Sequence, residues 1–424
     1  MHFVLRAGYE GAAQVARALS LVAPSGRTKV LDSFAARRGV LARFRAFRRD
    51  PSVPLLWMHA PSVGEGLQAR PVLELVRERE PHVQLAYTWF SPSARAFAAT
   101  LDVDFSDVLP FDTRHDSRAA LAALDPSVLV FSKLDVWPTL AREAARRSVR
   151  TGLISATLSR ESSRAGGMAR SILREAYARL DSVGAISVED ADRLIALGVP
   201  AGRIRVTGDT RYDQVWARAK ATDRGSSLLQ PFAGGRPTVV AGSTWPADEE
   251  VLLPAWPLVK AAVPAARLII APHEPTPTHV EGIEEWARGA GLRCARLDHP
   301  SAPEADVVVV NRVGVLGELY ALASAAFVGG AFHAAGLHSV LEPAAFGAPV
   351  AFGPRYRASR DARLLVDDDG AVSVDDAPQL ASVLGGWLSS ESERRAAGEA
   401  AEQVVRRGLG AAERSFTLVR SLLG

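Results

Sequence analysis

Leu55-Leu56-Trp57-Met58-His59-Ala60-Pro61-Ser62-Val63-Gly64-Glu65-Gly66 is the stretch on which the reading of this chain turns. A short apolar run ends in a small-residue turn that carries one carboxylate, Glu65, and a helix-like stretch follows from Leu67 to Arg79. Strand, turn and helix in that order present the turn at the carboxyl edge of a parallel sheet. The first turn of a helix has unpaired N–H groups that can hold an anion. Glu65 is therefore placed either to favour its own helix electrostatically or to accept a proton from a substrate hydroxyl.

The same alternation continues outward. Leu55–Met58, Val83–Thr88, Val128–Phe131, Gly152–Ile154, Val183–Ile186 and Ile204–Val206 read as buried strands separated by Ala- and Arg-rich helical stretches, the pattern of a doubly wound parallel sheet. Residues 217–237 have little apolar periodicity and read as a linker. A second alternation runs through Thr238–Ala241, Arg267–Ala271, Val307–Val310, Ala326–Gly329 and Pro349–Phe352, with helices from Ala377 onward. This gives an α/β chain of two Rossmann-like halves, with ligands expected at the carboxyl ends of the strands in a cleft between domains. Neither half carries G-x-G-x-x-G, so the usual dinucleotide fingerprint is missing.

A length of 424 residues is too much for one ordinary core and suits two domains. The division expected is an N-terminal segment at 1–50, a first Rossmann-like domain at 51–216, the linker at 217–237 and a second Rossmann-like domain with terminal helices at 238–424. The net charge of +3 is small but uneven. Arg37, Arg38, Arg43, Arg45, Arg48 and Arg49 crowd one stretch with no acid between them, a run that suits either phosphate groups or a solvated helix face. One cysteine, Cys294, excludes an intrachain disulfide and a multi-cysteine metal site, and fits a reducing cytosol. The start of the chain shows no cleavable signal pattern. Val4 to Pro24 is broken by Arg6, Glu10 and Arg17, too polar to span a bilayer, and suits an amphipathic helix on a membrane surface or on the protein itself.

Several further runs carry candidate chemistry. Ser132-Lys133-Leu134-Asp135-Val136-Trp137-Pro138 puts Lys133 and Asp135 on the same sheet edge as Glu65, where a second carboxylate orients a substrate or shifts a neighbour's acidity. A loop ion pair and a core tryptophan describe the same run. Gly208-Asp209-Thr210-Arg211-Tyr212-Asp213 places Arg211 to neutralise a phosphate, or to bridge to Asp209 or Asp213. In the second half, Ser243 and Thr244 lie between a strand and a helix, and His273 and Glu274 end a strand between prolines. Val313, Gly314 and Val315 precede another helix. Phe327-Val328-Gly329-Gly330 leads into Gly336-Leu337-His338-Ser339-Val340-Leu341-Glu342-Pro343, a glycine-rich loop fit to approach a nucleotide phosphate, with Glu342 as an acceptor for ribose hydroxyls.

Together these runs resemble the 3-deoxy-D-manno-octulosonic acid (Kdo) transferase family of GT-B glycosyltransferases, over nearly the whole chain up to Arg360. The family's S-V-G-E stands here as Ser62-Val63-Gly64-Glu65, and its E-T-E-L-W-P as Lys133 to Pro138. N-A-R-L-S is matched by Ser155-Ala156-Thr157-Leu158-Ser159, G-N-L-K-F-D by Gly208 to Asp213, and F-V-G-G and G-G-H-N-P-L-E-P by Phe327–Gly330 and Gly336–Pro343. Three departures stand out: Pro272-His273-Glu274-Pro275 for P-R-H-P, Asn311-Arg312-Val313-Gly314-Val315-Leu316 for D-T-M-G-E-L, and Ser339 for the asparagine before Glu342.

The resemblance implies a GT-B fold with two sheets facing across a cleft, and an inverting, metal-independent transfer of Kdo to lipid IV(A) or a similar lipid A precursor. CMP-Kdo would be the donor substrate, with no cofactor. It implies Glu65 as general base, Arg211 on the leaving phosphate and Asp135 as a support. Ser243, Thr244, His273, Glu274, Val313, Gly314, Val315, Ser339, Val340, Leu341 and Glu342 would lie about the nucleotide. The implied partner surface is an anionic membrane at the cytoplasmic face of the inner membrane, held peripherally or through the N-terminal segment, with no nucleic acid. Two other classes stay open: another GT-B nucleotide-sugar enzyme, including an epimerase, and a non-catalytic membrane-peripheral binding protein.

Overall fold

The computed structural model describes residues 2–22, 28–158, 167–334 and 336–424. The chain divides into two compact units, Met1–Gln214 with Leu409–Gly424, and Val215–Gly408.

The first unit holds seven parallel strands: β1 (Leu55–His59), β2 (Gln84–Trp89), β3 (Phe105–Val108), β4 (Val128–Ser132), β5 (Arg150–Ala156), β6 (Ser182–Ala185) and β7 (Ile204–Val206). Their spatial order is β3-β2-β1-β4-β5-β6-β7, so the order reverses between β1 and β4. Every residue of β1 and β4 is buried, as expected where helices cover both faces of a parallel sheet. Trp57, Phe44, Tyr87 and Phe131 anchor this core. β3 was not expected from the sequence; it is a short edge strand whose Ser106 and Asp107 break the apolar signal.

The second unit repeats the plan with β8 (Thr238–Thr244), β9 (Arg267–Pro272), β10 (Cys294–Arg296), β11 (Val307–Val309), β12 (Ala325–Val328), β13 (Val350–Phe352) and β14 (Ala371–Ser373). The order is β10-β11-β9-β8-β12-β13-β14, reversing between β8 and β12. β10 and β14, also unexpected, are three-residue edge strands.

Three expectations about the organisation need correction. Residues 217–237 are not a bare linker: the helix Arg211–Ala221 runs into them, and Leu229 and Phe232 are buried in the second unit's core, with the Arg267 guanidinium over the Phe232 ring. The last sixteen residues do not belong with 238–424. The helix Ala411–Leu423 packs Phe416, Leu418, Val419 and Leu422 into the first core, where the bare Cα of Gly152 makes room for Leu422. Asp213 accepts from the N–H groups of Gly410 (2.7 Å) and Ala412 (2.9 Å), fixing the start of that helix. Nor is the segment at 1–50 separate. Tyr9 donates to Asp112 at 2.8 Å, Arg17 pairs with Asp116 at 2.9 Å, and Arg43 grips Asp107 through two nitrogens. The expected apolar stretch ended at Pro24, which lies outside the described residues, as does Ser159 of the matched run.

Candidate active site

Glu65 lies in the first turn of the helix Val63–Arg79, directly after β1. Gly66 beside it lets the helix start tight against the sheet: a Cβ there would sit 2.4 Å from the Phe97 ring and 2.7 Å from the Tyr87 hydroxyl. The Ser62 hydroxyl donates to Glu65 Oε2, and Lys133 Nζ, from the loop after β4, lies 2.8 Å from Oε1. Ser132 Oγ donates to the Glu65 carbonyl at 3.2 Å. β1 and β4 flank the order reversal, so this cluster occupies the crevice where open α/β sheets bind ligands. Burial pushes the Glu65 carboxyl up, but the bonds from Lys133 and Ser62 and the Lys133 charge outweigh it and hold the group ionised below its ordinary range.

The loop that bears Lys133 and Asp135 is pinned by its neighbours. Trp137 Nε1 donates to His59 Nε2 at 2.9 Å and the indole stacks on Phe90, while Tyr177 donates to the Leu134 carbonyl at 2.6 Å. His59 is wholly buried, and burial takes it down to about 3, so it is neutral. It accepts from Trp137, and its other nitrogen meets Thr88 Oγ1 at 3.0 Å. The lysine of this loop pairs with Glu65, a partner 68 positions away that the sequence does not disclose.

Arg211 joins the same edge through the helix of Glu65. Gln68, one turn on, donates to Asp209 at 3.2 Å; Asp209, buried, takes Arg211 Nε and Nη2 at 2.9 and 2.7 Å. Thr210 donates to the Gln68 carbonyl at 2.6 Å and meets Ser155 Oγ at 3.0 Å. Of the two bridging partners open to Arg211, Asp209 takes its guanidinium, since both Asp213 oxygens cap the terminal helix. Burial works against the Asp209 charge, and Arg211 more than offsets it, leaving the carboxyl below its usual range. The guanidinium is still over a third exposed.

In the second unit the candidate residues again gather at the order reversal. Ser243, next to last in β8, takes the left-handed region at φ 54°, and Gly329 and Gly330 follow β12. A Cβ on Gly329 would stand 2.4 Å from the Ser243 carbonyl, and one on Gly330 2.2 Å from the Gly336 carbonyl, so only glycine fits either place. Trp245 and His338 lie side by side, joined by an Nε1-to-Nε2 hydrogen bond of 3.0 Å. His273 stacks over both, with ring centroids 4.5 and 4.6 Å away. Glu342 is half-buried, and burial raises its carboxyl, with Arg218 acting in the opposite sense. Its carboxylate has no hydrogen bond among the described residues.

Not all the expected nucleotide residues offer side chains. Val340 and Leu341 are buried in the core because they begin the short helix Leu341–Ala344, leaving only backbone to a ligand. The Thr244 hydroxyl is committed to Glu249 at 2.7 Å, and Glu249 also holds His279 at 2.8 Å. Val313 is exposed, Gly314 takes φ 92°, and Val315 caps the turn Leu316–Leu319. Glu274 and Ser339 are exposed. Two residues escaped the sequence reading. Asp248, in the first turn of the helix Pro246–Ala262, is fully buried and accepts from Trp245, Gly330 and Phe332 N–H at 2.9, 2.8 and 3.3 Å, tying the glycine loop to β8. Arg218 lays its guanidinium against Gly317, near Glu342.

Two doubly wound parallel sheets, each with polar groups at its strand-order reversal, make the GT-B fold. A crystal structure of UDP-GlcNAc 2-epimerase from Neisseria meningitidis bound to UDP-GlcNAc superposes with a TM-score of 0.63 at 12% identity, over 88% of this chain and 99% of that one, a likeness of fold alone. The family model of 3-deoxy-D-manno-octulosonic-acid transferase (kdotransferase) matches residues 33–214. A 3-deoxy-D-manno-octulosonic acid transferase from Bordetella pertussis is 31% identical over 408 residues, covering 90% of this chain and 91% of the relative. One from Haemophilus influenzae is 25% identical over 374 residues, 87% of each. The chain belongs to the 3-deoxy-D-manno-octulosonic acid transferase family.

Proposed function

We propose that this transferase moves Kdo from CMP-Kdo to lipid IV(A) or a similar lipid A precursor, by an inverting displacement that needs no metal. The observation that carries the reading is Glu65: an ionised, part-buried carboxylate at the order reversal of the first sheet, held by a hydroxyl and an ammonium. In the reaction Glu65 takes the proton of the acceptor hydroxyl as that oxygen attacks the anomeric carbon of Kdo. The bond from that carbon to the phosphate oxygen of CMP breaks, and Arg211 spreads the charge gathering on the leaving phosphate. Asp135, two residues beyond Lys133, supports the acceptor or the Glu65 geometry. The second unit holds CMP, with the backbone of Gly329 and Gly330 toward the phosphate and Glu342 toward the ribose.

Pure protein with CMP-Kdo generated in situ and lipid IV(A) should give a product heavier by whole Kdo residues, weighed by mass spectrometry. A folded protein that binds CMP and gives no such product would count against this acceptor. Among the described residues no three His, Cys, Asp or Glu side chains gather as an ion-binding set. The same reaction should therefore run at an unchanged rate in EDTA. Loss of activity that Mg²⁺ or Mn²⁺ restores would refute the metal-free mechanism.

The acceptor's acyl chains lie in a bilayer, so we place the enzyme at the membrane surface, on the cytoplasmic face of the inner membrane. No helix among the described residues is long and apolar enough to cross a membrane. The helix His2–Val22 instead leaves Val15, Leu19, Leu21 and Val22 exposed, with Val30 exposed on the next helix. Of the basic run, Arg37 is buried, Arg43 is paired, and Arg49 donates to the carbonyls of Leu124 and Asp125. Arg45 and Arg48 are exposed and have no ion pair among the described residues. We expect co-sedimentation with anionic liposomes at low salt and release at high salt. Each basic residue near an anionic leaflet contributes about 1 kcal/mol, so Arg45→Ser with Arg48→Ser should weaken binding about tenfold or more while sparing turnover on a detergent-solubilised acceptor. Unchanged binding would make these arginines a solvated face only.

A further inference from the structure

Lys133, the first residue after β4, sits in the left-handed region at φ 67°, with its N–H bonded to the Ile154 carbonyl at 2.9 Å. Non-glycine residues hold that conformation only at a cost, and such residues collect at functional sites. The turn delivers the ammonium to 2.8 Å from Glu65 Oε1, and the lysine side chain is 43% exposed against 15% for Glu65. We propose that Lys133 is a positioning residue for the transfer step, holding Glu65 ionised and aimed, and that it keeps the base competent in more acidic solution than a carboxylate at the same position would allow. The proposal rests on the reading of Glu65 as the base.

The surroundings leave this work to Lys133. Ser62, from the helix's own N-cap, donates to the other carboxylate oxygen. Tyr87 on β2 is neutral, its phenol raised by burial and then by the Glu65 charge, and His59 on β1 is neutral as described. Arg70, further along the Glu65 helix, lies over the Phe97 ring. Asp135, in the Lys133 loop, acts electrostatically on Tyr9. A cation beside a carboxyl favours its charged form and an anion disfavours it. Removing the lysine leaves only the Ser62 and backbone bonds to set against burial, so the acid limb of the rate profile must move to higher pH. The lysine is half-exposed, which places the shift at the low end of the known range, about one pH unit.

The test is a charge series at one backbone position: Lys133→Arg, Lys133→Met and Lys133→Glu, all non-glycine residues that share the same left-handed cost. The pH profile of kcat/KM should be unchanged for arginine. Its acid limb should move up by about one unit for methionine and further for glutamate, with the plateau at high pH within severalfold. In parallel, the Glu65 carboxyl is followed by ¹³C NMR, assigned by its loss in Glu65→Gln. It should titrate in the same order, with the chain's fold checked by thermal melting. A carboxyl whose titration ignores the residue at 133 would overturn the proposal and leave the base reading standing. A carboxyl that follows the series while the rate profile does not would overturn the base reading, and the proposal with it.

Discussion

Glu65→Gln abolishes transfer while the protein stays folded and binds CMP as before. An amide is nearly the same shape as the carboxylate and still accepts from Ser62, but it cannot take a proton. Loss of general-base catalysis costs on the order of 10²–10⁴ in rate, about 3–5 kcal/mol of barrier. Folding should tolerate the change because a half-exposed pair such as Lys133–Glu65 contributes little to stability. The measurement is single-turnover transfer beside a thermal melt and CMP titration. Near-normal turnover would remove Glu65 from the chemistry and leave it an ion-pair partner at a helix start.

Asp248→Ala should be the most damaging single change in the second unit. Its buried carboxylate is the acceptor for three backbone N–H groups, those of Trp245, Gly330 and Phe332. Alanine strands them where water does not reach, and each unmet donor costs about 1–3 kcal/mol. Partial relaxation of the loop brings the expected loss to about 3 kcal/mol, or a melting drop of roughly 6–12 °C for a unit of this size. CMP affinity should fall with it, because Gly330 no longer has a fixed place. Asp248→Asn, which keeps one acceptor oxygen, should fall between. A melting point and a CMP affinity both unchanged by alanine would show that the glycine loop does not depend on this carboxylate.

The central strands of both sheets were legible in the sequence because they are buried on both faces and therefore read as unbroken apolar runs. The three strands that escaped, β3, β10 and β14, are sheet edges. Edge strands are short and need less apolar sequence, so their periodicity is faint. Leu229 and Phe232 were hidden for a related reason: two buried residues in a Gly- and Ser-rich stretch make no period, although they complete a core. At the candidate site, the turns after β1, β4, β8 and β12 were readable from residue type and order. The pairings across them were not. Nothing local says that Lys133 reaches Glu65, that Asp248 reaches Gly330, or that Asp213 serves a helix nearly 200 residues later. Such contacts are fixed by which strands lie adjacent, and strand order is set by the whole sheet.

The return of the helix Ala411–Leu423 to the first core has a consequence for how the protein is made. Domains usually complete themselves in the order they leave the ribosome. Here the unit that contains Glu65 lacks Phe416, Leu418, Val419 and Leu422 until residues 411–423 have been synthesised. Until then the space beside Gly152 stays unfilled and apolar surface of the nascent chain stays open to chaperones. The second unit, continuous from Val215 to Gly408, can close first. A stop codon directly after Gly408 would thus spare the later-made unit and leave the earlier-made unit unfinished.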